Sequence, residues 1–179
     1  KVVTAPEYGG TLTYALTGEP ESPDTAVPGS APALAASGVV EKLGIGDWAV
    51  DRDVFNFRTT YIPAEILRGQ LAESWEIPDP LTYIFHIRQG VHWHNKAPMN
   101  GRALTAKDVE YNFHRQLGLG SGFTEMTAGA ANHSSIKDVD FKSVTAEGST
   151  VVFRLGKLNF DALKTILVAS LNYVYPPEV

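Results

Sequence analysis

The sequence predicts a mixed α/β fold, built of β-hairpins and a small mixed sheet covered by two or three helices. Three observations carry that expectation. Residues 82–88 alternate apolar and polar side chains directly after a proline-rich turn. Residues 139–155 hold two further extended runs around Glu147-Gly148. Residues 105–117 repeat apolar positions at spacings of three and four behind a capping signature. With 179 residues, 44% of them apolar and 20% charged, the chain is long enough for about one domain with a substantial core.

The elements follow in order. Gly9-Gly10 opens a short strand in which Leu12, Tyr14 and Leu16 share a face. Gly18 to Pro32 carries Pro20, Pro23, Pro28 and Pro32, and prolines remove backbone donors and restrict their predecessors, so this is an irregular connection. Ser30 caps a helix whose apolar positions are Leu34, Val39, Val40 and Leu43. Residues 44–69 show bulk without a period. Leu71 to Ile77 reads as a strand with Trp75 and Ile77 on one face, and Pro78-Asp79-Pro80 turns the chain. Tyr83, Phe85 and Ile87 then face one way and Ile84, His86 and Arg88 the other, which completes a hairpin. Val91 to His94 continues extended.

Thr105 and Asp108 stand at capping-box spacing, ahead of a helical stripe of Ala106, Val109, Phe113 and Leu117 that Gly118 stops. Gly118 to Ser135 reads as a flexible surface excursion. Val139 to Ala146 and Thr150 to Leu155 form a second hairpin, with Val151, Phe153 and Leu155 inward. Asn159 caps a final helix with the stripe Leu163, Ile166, Leu167 and Leu171, and Tyr173 to Pro177 leaves extended.

Composition excludes several functions. A formal charge of −5 without a basic cluster lacks the footprint of a nucleic-acid binder. The absence of cysteine removes thiol catalysis, disulfides and sulfur-ligated zinc. No apolar run reaches the roughly 18 residues of a spanning helix. The first residues lack a leader pattern, so any signal peptide is expected to be already removed or never present.

Gln70-Leu71-Ala72-Glu73-Ser74-Trp75-Glu76-Ile77, then Tyr83 to His94, then Leu104 to Phe113 resemble the signature of the family 5 bacterial extracellular solute-binding proteins. These are the oligopeptide, dipeptide and nickel receptors of ABC importers. Two departures stand out: Asn95-Lys96 replaces an acidic-glycine turn, and Met99 to Ala103 is an added stretch. The resemblance implies a periplasmic-binding-protein-like II fold, of which the chain holds an N-terminal fragment. Residues 1–30 would be the first strand and connecting loop of lobe I, and residues 31–179 an additional small domain, with the opposing lobe beyond Val179. It also implies a receptor without catalysis or cofactor, capturing a peptide or similar solute for an ABC permease. Such a receptor is expected to work as a monomer, periplasmic or extracellular, free or held by a lipid anchor. A scaffold or solute-sensing regulatory domain is the alternative use of the same architecture.

Candidate site residues follow from both readings. Glu19, Glu21 and Asp24, in the proline-rich loop, could meet a ligand ammonium, and Trp48, in an irregular segment, could line a cleft. His92 and His94, two apart on an extended piece, project from one face and form a weak metal pair that His86 could approach. Their number and the histidine of the resembling motif favour a structural role, so no metal site is assigned. Glu73, Glu76 and Asp79 read as solvated carboxylates at a hairpin edge. Ser121, Ser134, Ser135 and His133 lack a strand–turn–helix elbow for nucleophilic catalysis.

Overall fold

A computed structural model describes residues 38–58 and 62–179, together with residues 9–11, 13 and 24. Most of the strand expected at Gly9–Leu16 and most of the helix expected after Ser30 lie outside the described residues. Two hairpins build the main sheet. β3 (Ala72–Asp79) and β4 (Thr82–Ile87) pair across a Pro80-Leu81 turn, where the Asp79 carboxylate accepts the Leu81 N–H at 2.8 Å. β5 (Phe141–Glu147) and β6 (Thr150–Leu155) pair across Gly148-Ser149. β6 lies against β4, so the order is β3-β4-β6-β5 and every pair is antiparallel. Among the described residues the sheet expected to be mixed is therefore antiparallel throughout, because it is two hairpins laid side by side.

The unpatterned stretch 44–69 resolves into a second, smaller sheet: β1 (Gly44–Gly46) pairs with β2 (Leu67–Gly69). The helix read through Val39, Val40 and Leu43 does not extend over residues 40–46, which run extended into β1. Leu43 is fully buried, and its carbonyl accepts the Gln70 and Ala72 N–H groups, which ties the small sheet to β3.

Helix α1 (Ala106–Leu117) is the element the sequence describes best. Its predicted stripe is buried, and Asp108 accepts the Thr105 backbone N–H at 2.7 Å. Gly118 ends it in the left-handed region at φ 68°, where a Cβ would meet the Glu125 backbone at 2.5–2.8 Å. The excursion after Gly118 is more ordered than its glycines suggest. It contains α2 (Ala128–Asn132), capped by Thr127, and buries Ala130 and Ile136. Helix α3 (Ala162–Val168) packs on β1. Asn159 precedes it by accepting the Asp161 N–H, but Asp161 is the N-cap residue, and the helix stops before Leu171. Asn172 explains the stop: 3% exposed, its amide donates to the Thr165 and Ile166 carbonyls at 2.6 and 3.2 Å. A Cβ on Gly44 would sit 2.8 Å from Leu167 Cδ2, so that glycine permits the close approach of α3.

The core centres on Phe153 of β6. Phe113 of α1 and Phe85 of β4 meet its ring edge-on at centroid distances of 4.7 and 5.4 Å, and Phe141 lies at 6.3 Å. The outer edge of β5 is occupied by α1 side chains rather than a strand. Glu110 accepts the Ala146 N–H at 2.9 Å, and His114 Nε2 meets the Val144 carbonyl at 2.6 Å. Both contacts blunt an edge that could otherwise pair with another chain.

Two outcomes are expected. Phe153→Ala should cost about 3–5 kcal/mol in urea unfolding, the range for a buried aromatic that leaves a cavity. Burial pushes the Glu110 carboxyl pKa up, but the Lys107 ammonium and the Ala146 N–H outweigh it, and the carboxyl lies below the usual glutamate range. A carboxyl held low only in the folded chain stabilises above pH about 4.3, and that contribution is lost as pH falls through the folded value. Glu110→Gln should therefore flatten the acid limb of a stability–pH profile below that pH, with little change in its slope above pH 6.

Candidate functional site

A cleft of about 630 Å³ opens between the small sheet and α3. Ile45, Gly46 and Trp48 line it from the β1 side, and Lys164, Thr165 and Val168 line it from α3. Lys42 and Tyr173 stand between these walls, with Ile62 and Gln70 alongside. The cleft is thus apolar with a few polar groups, the usual composition of a small-ligand site.

Trp48 is half exposed and held from behind. Its ring stacks on Phe57 at 4.5 Å and 27°, Phe55 meets Phe57 edge-on at 4.8 Å, and the Arg52 guanidinium lies 4.4 Å from the Phe57 centroid. Phe57 sits at φ 54°, a left-handed conformation uncommon for a bulky residue, and the turn is braced by Asn56 accepting the Arg58 N–H. Side chains so packed present the indole as a fixed surface.

Lys42 is half buried. Its ammonium donates to the Val168 carbonyl at 3.1 Å and lies 4.9 Å from the Tyr173 ring centroid, and burial pushes its pKa down. Lys164 is paired with Asp161 at 3.1 Å.

Asp24 lies elsewhere. Its carboxylate takes both terminal nitrogens of Arg115 on α1, and that hydrogen-bonded pairing pushes the guanidinium pKa up further. The polar face of α1 also fixes the exit segment: Asn112 accepts the Tyr175 N–H at 3.0 Å and donates to its carbonyl at 2.6 Å. Asp24 is therefore an ion-pair partner of α1. Glu19 and Glu21 lie outside the described residues.

His92 and His94 are exposed and line a separate recess of about 300 Å³ beside Trp93. The His92 Nδ1 is taken by the Gly90 carbonyl at 3.0 Å. His86 does not join them; it pairs with Glu76 at 2.7 Å on the outer face of the main sheet. Among the described residues no group of three or more histidines, aspartates or glutamates is placed to hold a metal ion. Ser121 pairs with His114 at 2.7 Å, not with His133, and His114 is committed through its other nitrogen to β5. His133 bonds Ser170 at 3.0 Å, and burial pushes its pKa down.

Trp48 was readable as a cleft candidate because it follows Gly46-Asp47 outside any period. Lys42, Gln70, Lys164 and Tyr173 were not, since they come from separate parts of the chain and meet only when β1, β2 and α3 pack.

The fold is that of part of a periplasmic-binding-protein type II protein. Residues 67–178 match the family described as bacterial extracellular solute-binding proteins, family 5 middle, and the chain belongs to that family, whose members are transport receptors rather than enzymes. Among curated relatives, the dipeptide-binding protein of Escherichia coli is 32% identical over 154 residues, 79% of this chain and 26% of that protein. Among solved structures, the ABC transporter-associated periplasmic binding protein DppA of Helicobacter pylori, in complex with the peptide STSA, matches with TM-score 0.64. Its identity is 23%, over 89% of this chain and 30% of that one. HbpA2 from Haemophilus parasuis gives the same TM-score at 24% identity, over 90% of this chain and 30% of its own. The chain spans between about a quarter and a third of the length of these relatives. Homologues in the family are periplasmic or extracellular, and no described helix is long and apolar enough to cross a membrane.

The stacked support of Trp48 predicts that Phe57→Ala will red-shift part of the tryptophan emission and raise its quenching by acrylamide. Trp75 and Trp93 pack against the core and should contribute no change, so a Trp48→Phe background should abolish the effect.

Proposed function

We propose that this chain is part of the substrate-binding component of an ABC importer, and that it supplies one wall of a site for a peptide or similar small solute. The observation that carries the reading is the family match over residues 67–178, joined to an open, amphipathic cleft on the same unit. Two relatives support peptide as the solute class: one is a dipeptide-binding protein and another was solved with a peptide. In the proposed receptor, residues 1–30 belong to lobe I and residues 31–179 to the additional small domain. A second lobe closes over the solute by a hinge, and the closed form delivers it to the permease. The receptor acts as a monomer outside the cytoplasmic membrane, free or lipid-anchored, without nucleic acid. The coverage of its relatives, 26–30% of their length, supports the assignment to one part of a larger assembly.

A one-sided site leaves most of a ligand in water and recovers little of the cost of association. Titration of the chain with di-, tri- and tetrapeptides, followed by NMR, should therefore give dissociation constants on the order of millimolar. The shifts should centre on the Trp48 indole N–H. Peptides that leave every resonance of the cleft unmoved at tens of millimolar would overturn the reading.

A further inference from the structure

The cleft carries a charge arrangement opposite in sign to that of the chain as a whole. The chain has a formal charge of −5, yet the charged side chains among the described residues that line the cleft are two lysines. Lys164 already has Asp161. Lys42 has no carboxylate within ion-pair distance among the described residues; its ammonium is met by the Val168 carbonyl and the Tyr173 ring, which offer only partial negative charge. A second observation points the same way. Thr165 lines the same cleft and is 2% exposed, and its hydroxyl has no hydrogen-bond partner among the described residues. A half-buried cation without a counter-charge and a buried hydroxyl without a partner are each costly to leave unmet. Both costs fall if an anionic acceptor enters.

We infer that Lys42 and Thr165 form the anion-recognising end of the cleft, and that its solute carries a carboxylate whose apolar body lies against Trp48. The ammonium supplies a charge-assisted hydrogen bond and the threonine hydroxyl a neutral one, and the fixed indole supplies the apolar surface. The Val168 carbonyl and the Tyr173 ring already hold the Lys42 ammonium in place, so it is presented without a large loss of side-chain freedom on binding. This inference deepens the proposed function by naming the solute's charged group, and rests on the reading that the cleft holds the solute.

The test uses 3-phenylpropionate and its uncharged isostere 3-phenylpropionamide, titrated into the chain and followed at the Trp48 indole N–H. The carboxylate should bind at least about tenfold more tightly than the amide, the value of one charge-assisted hydrogen bond. Lys42→Met should reduce that ratio to near one, Lys42→Arg should retain most of it, and Thr165→Val should lower carboxylate binding alone. Should Lys42→Met fail to fold, Lys42→Gln, which keeps a donor for the Val168 carbonyl, serves in its place with the same expected loss. Equal binding of acid and amide, an unchanged ratio in the Lys42 variants, or no binding of either probe overturns the inference. Peptide binding with equal affinity for acid and amide overturns the inference alone. Phenylpropionate discrimination without peptide binding sustains it and overturns the peptide reading instead.

Discussion

The main sheet and the helix laid on it are organised around the ring of Phe153. It lies on β6, between the partner strands of both hairpins, and it is fully buried. β4 contributes Phe85 to it, β5 contributes Phe141 and α1 contributes Phe113, so elements far apart in sequence are joined by one aromatic cluster. Hydrogen bonds of an antiparallel ladder would hold each hairpin by itself, but they do not choose which hairpin lies beside which. The burial of apolar area between β4 and β6, with α1 laid across β5 and β6, makes that choice.

From that platform the peripheral features take their positions. Once α1 is fixed by Phe113 and Val109, its neighbouring face brings Glu110 and His114 to the β5 edge, and its polar face brings Asn112 and Arg115 to the exit segment and to Asp24. Arg102 completes the frame at the start of α1, bonding the buried Asp108 at 2.7 Å and Glu178 of the exit segment at 2.5 Å, and these partners push its pKa up. The exit segment is thereby tied at three points, Val174 to Glu41, Tyr175 to Asn112 and Glu178 to Arg102. A segment so anchored is held against the rest of the described unit on one side of β1 and at the start of α1. The cleft benefits from the same rigidity, since Tyr173 and Lys42 are walls of it.

The cleft itself is a product of glycine and aromatic packing. Gly44 lets Leu167 approach β1, and Gly46 lets Ile62 approach it, since a Cβ there would lie 2.9 Å from Ile62 Cδ1. The space left between the small sheet and α3 is then faced by Trp48, whose orientation is maintained by Phe57. Support of this kind, in which a binding surface is fixed by a layer behind it, is how a weakly stabilised loop can present a defined face.

Local pattern determined a large part of this molecule. The alternation of Tyr83, Phe85 and Ile87, the stripe of Ala106, Val109, Phe113 and Leu117, and the Gly118 stop are each decided within a few residues, because side-chain periodicity and cap chemistry are short-range properties. The match of Gln70 to Phe113 to a receptor family was equally local. The order of the strands, the small sheet hidden in residues 44–69 and the shortened last helix were not, because three-residue strands carry too little period to read and Asn172 acts on α3 from outside it. The site belongs to this second class. Asp24 could be singled out as an acidic loop residue, but only packing reveals that Arg115 neutralises it; Lys42 looked like any surface lysine until β1, α3 and Tyr173 closed around it. Charge is a property of the chain, while desolvation and counter-charge are properties of the neighbours, and those neighbours exist only once the tertiary structure has formed.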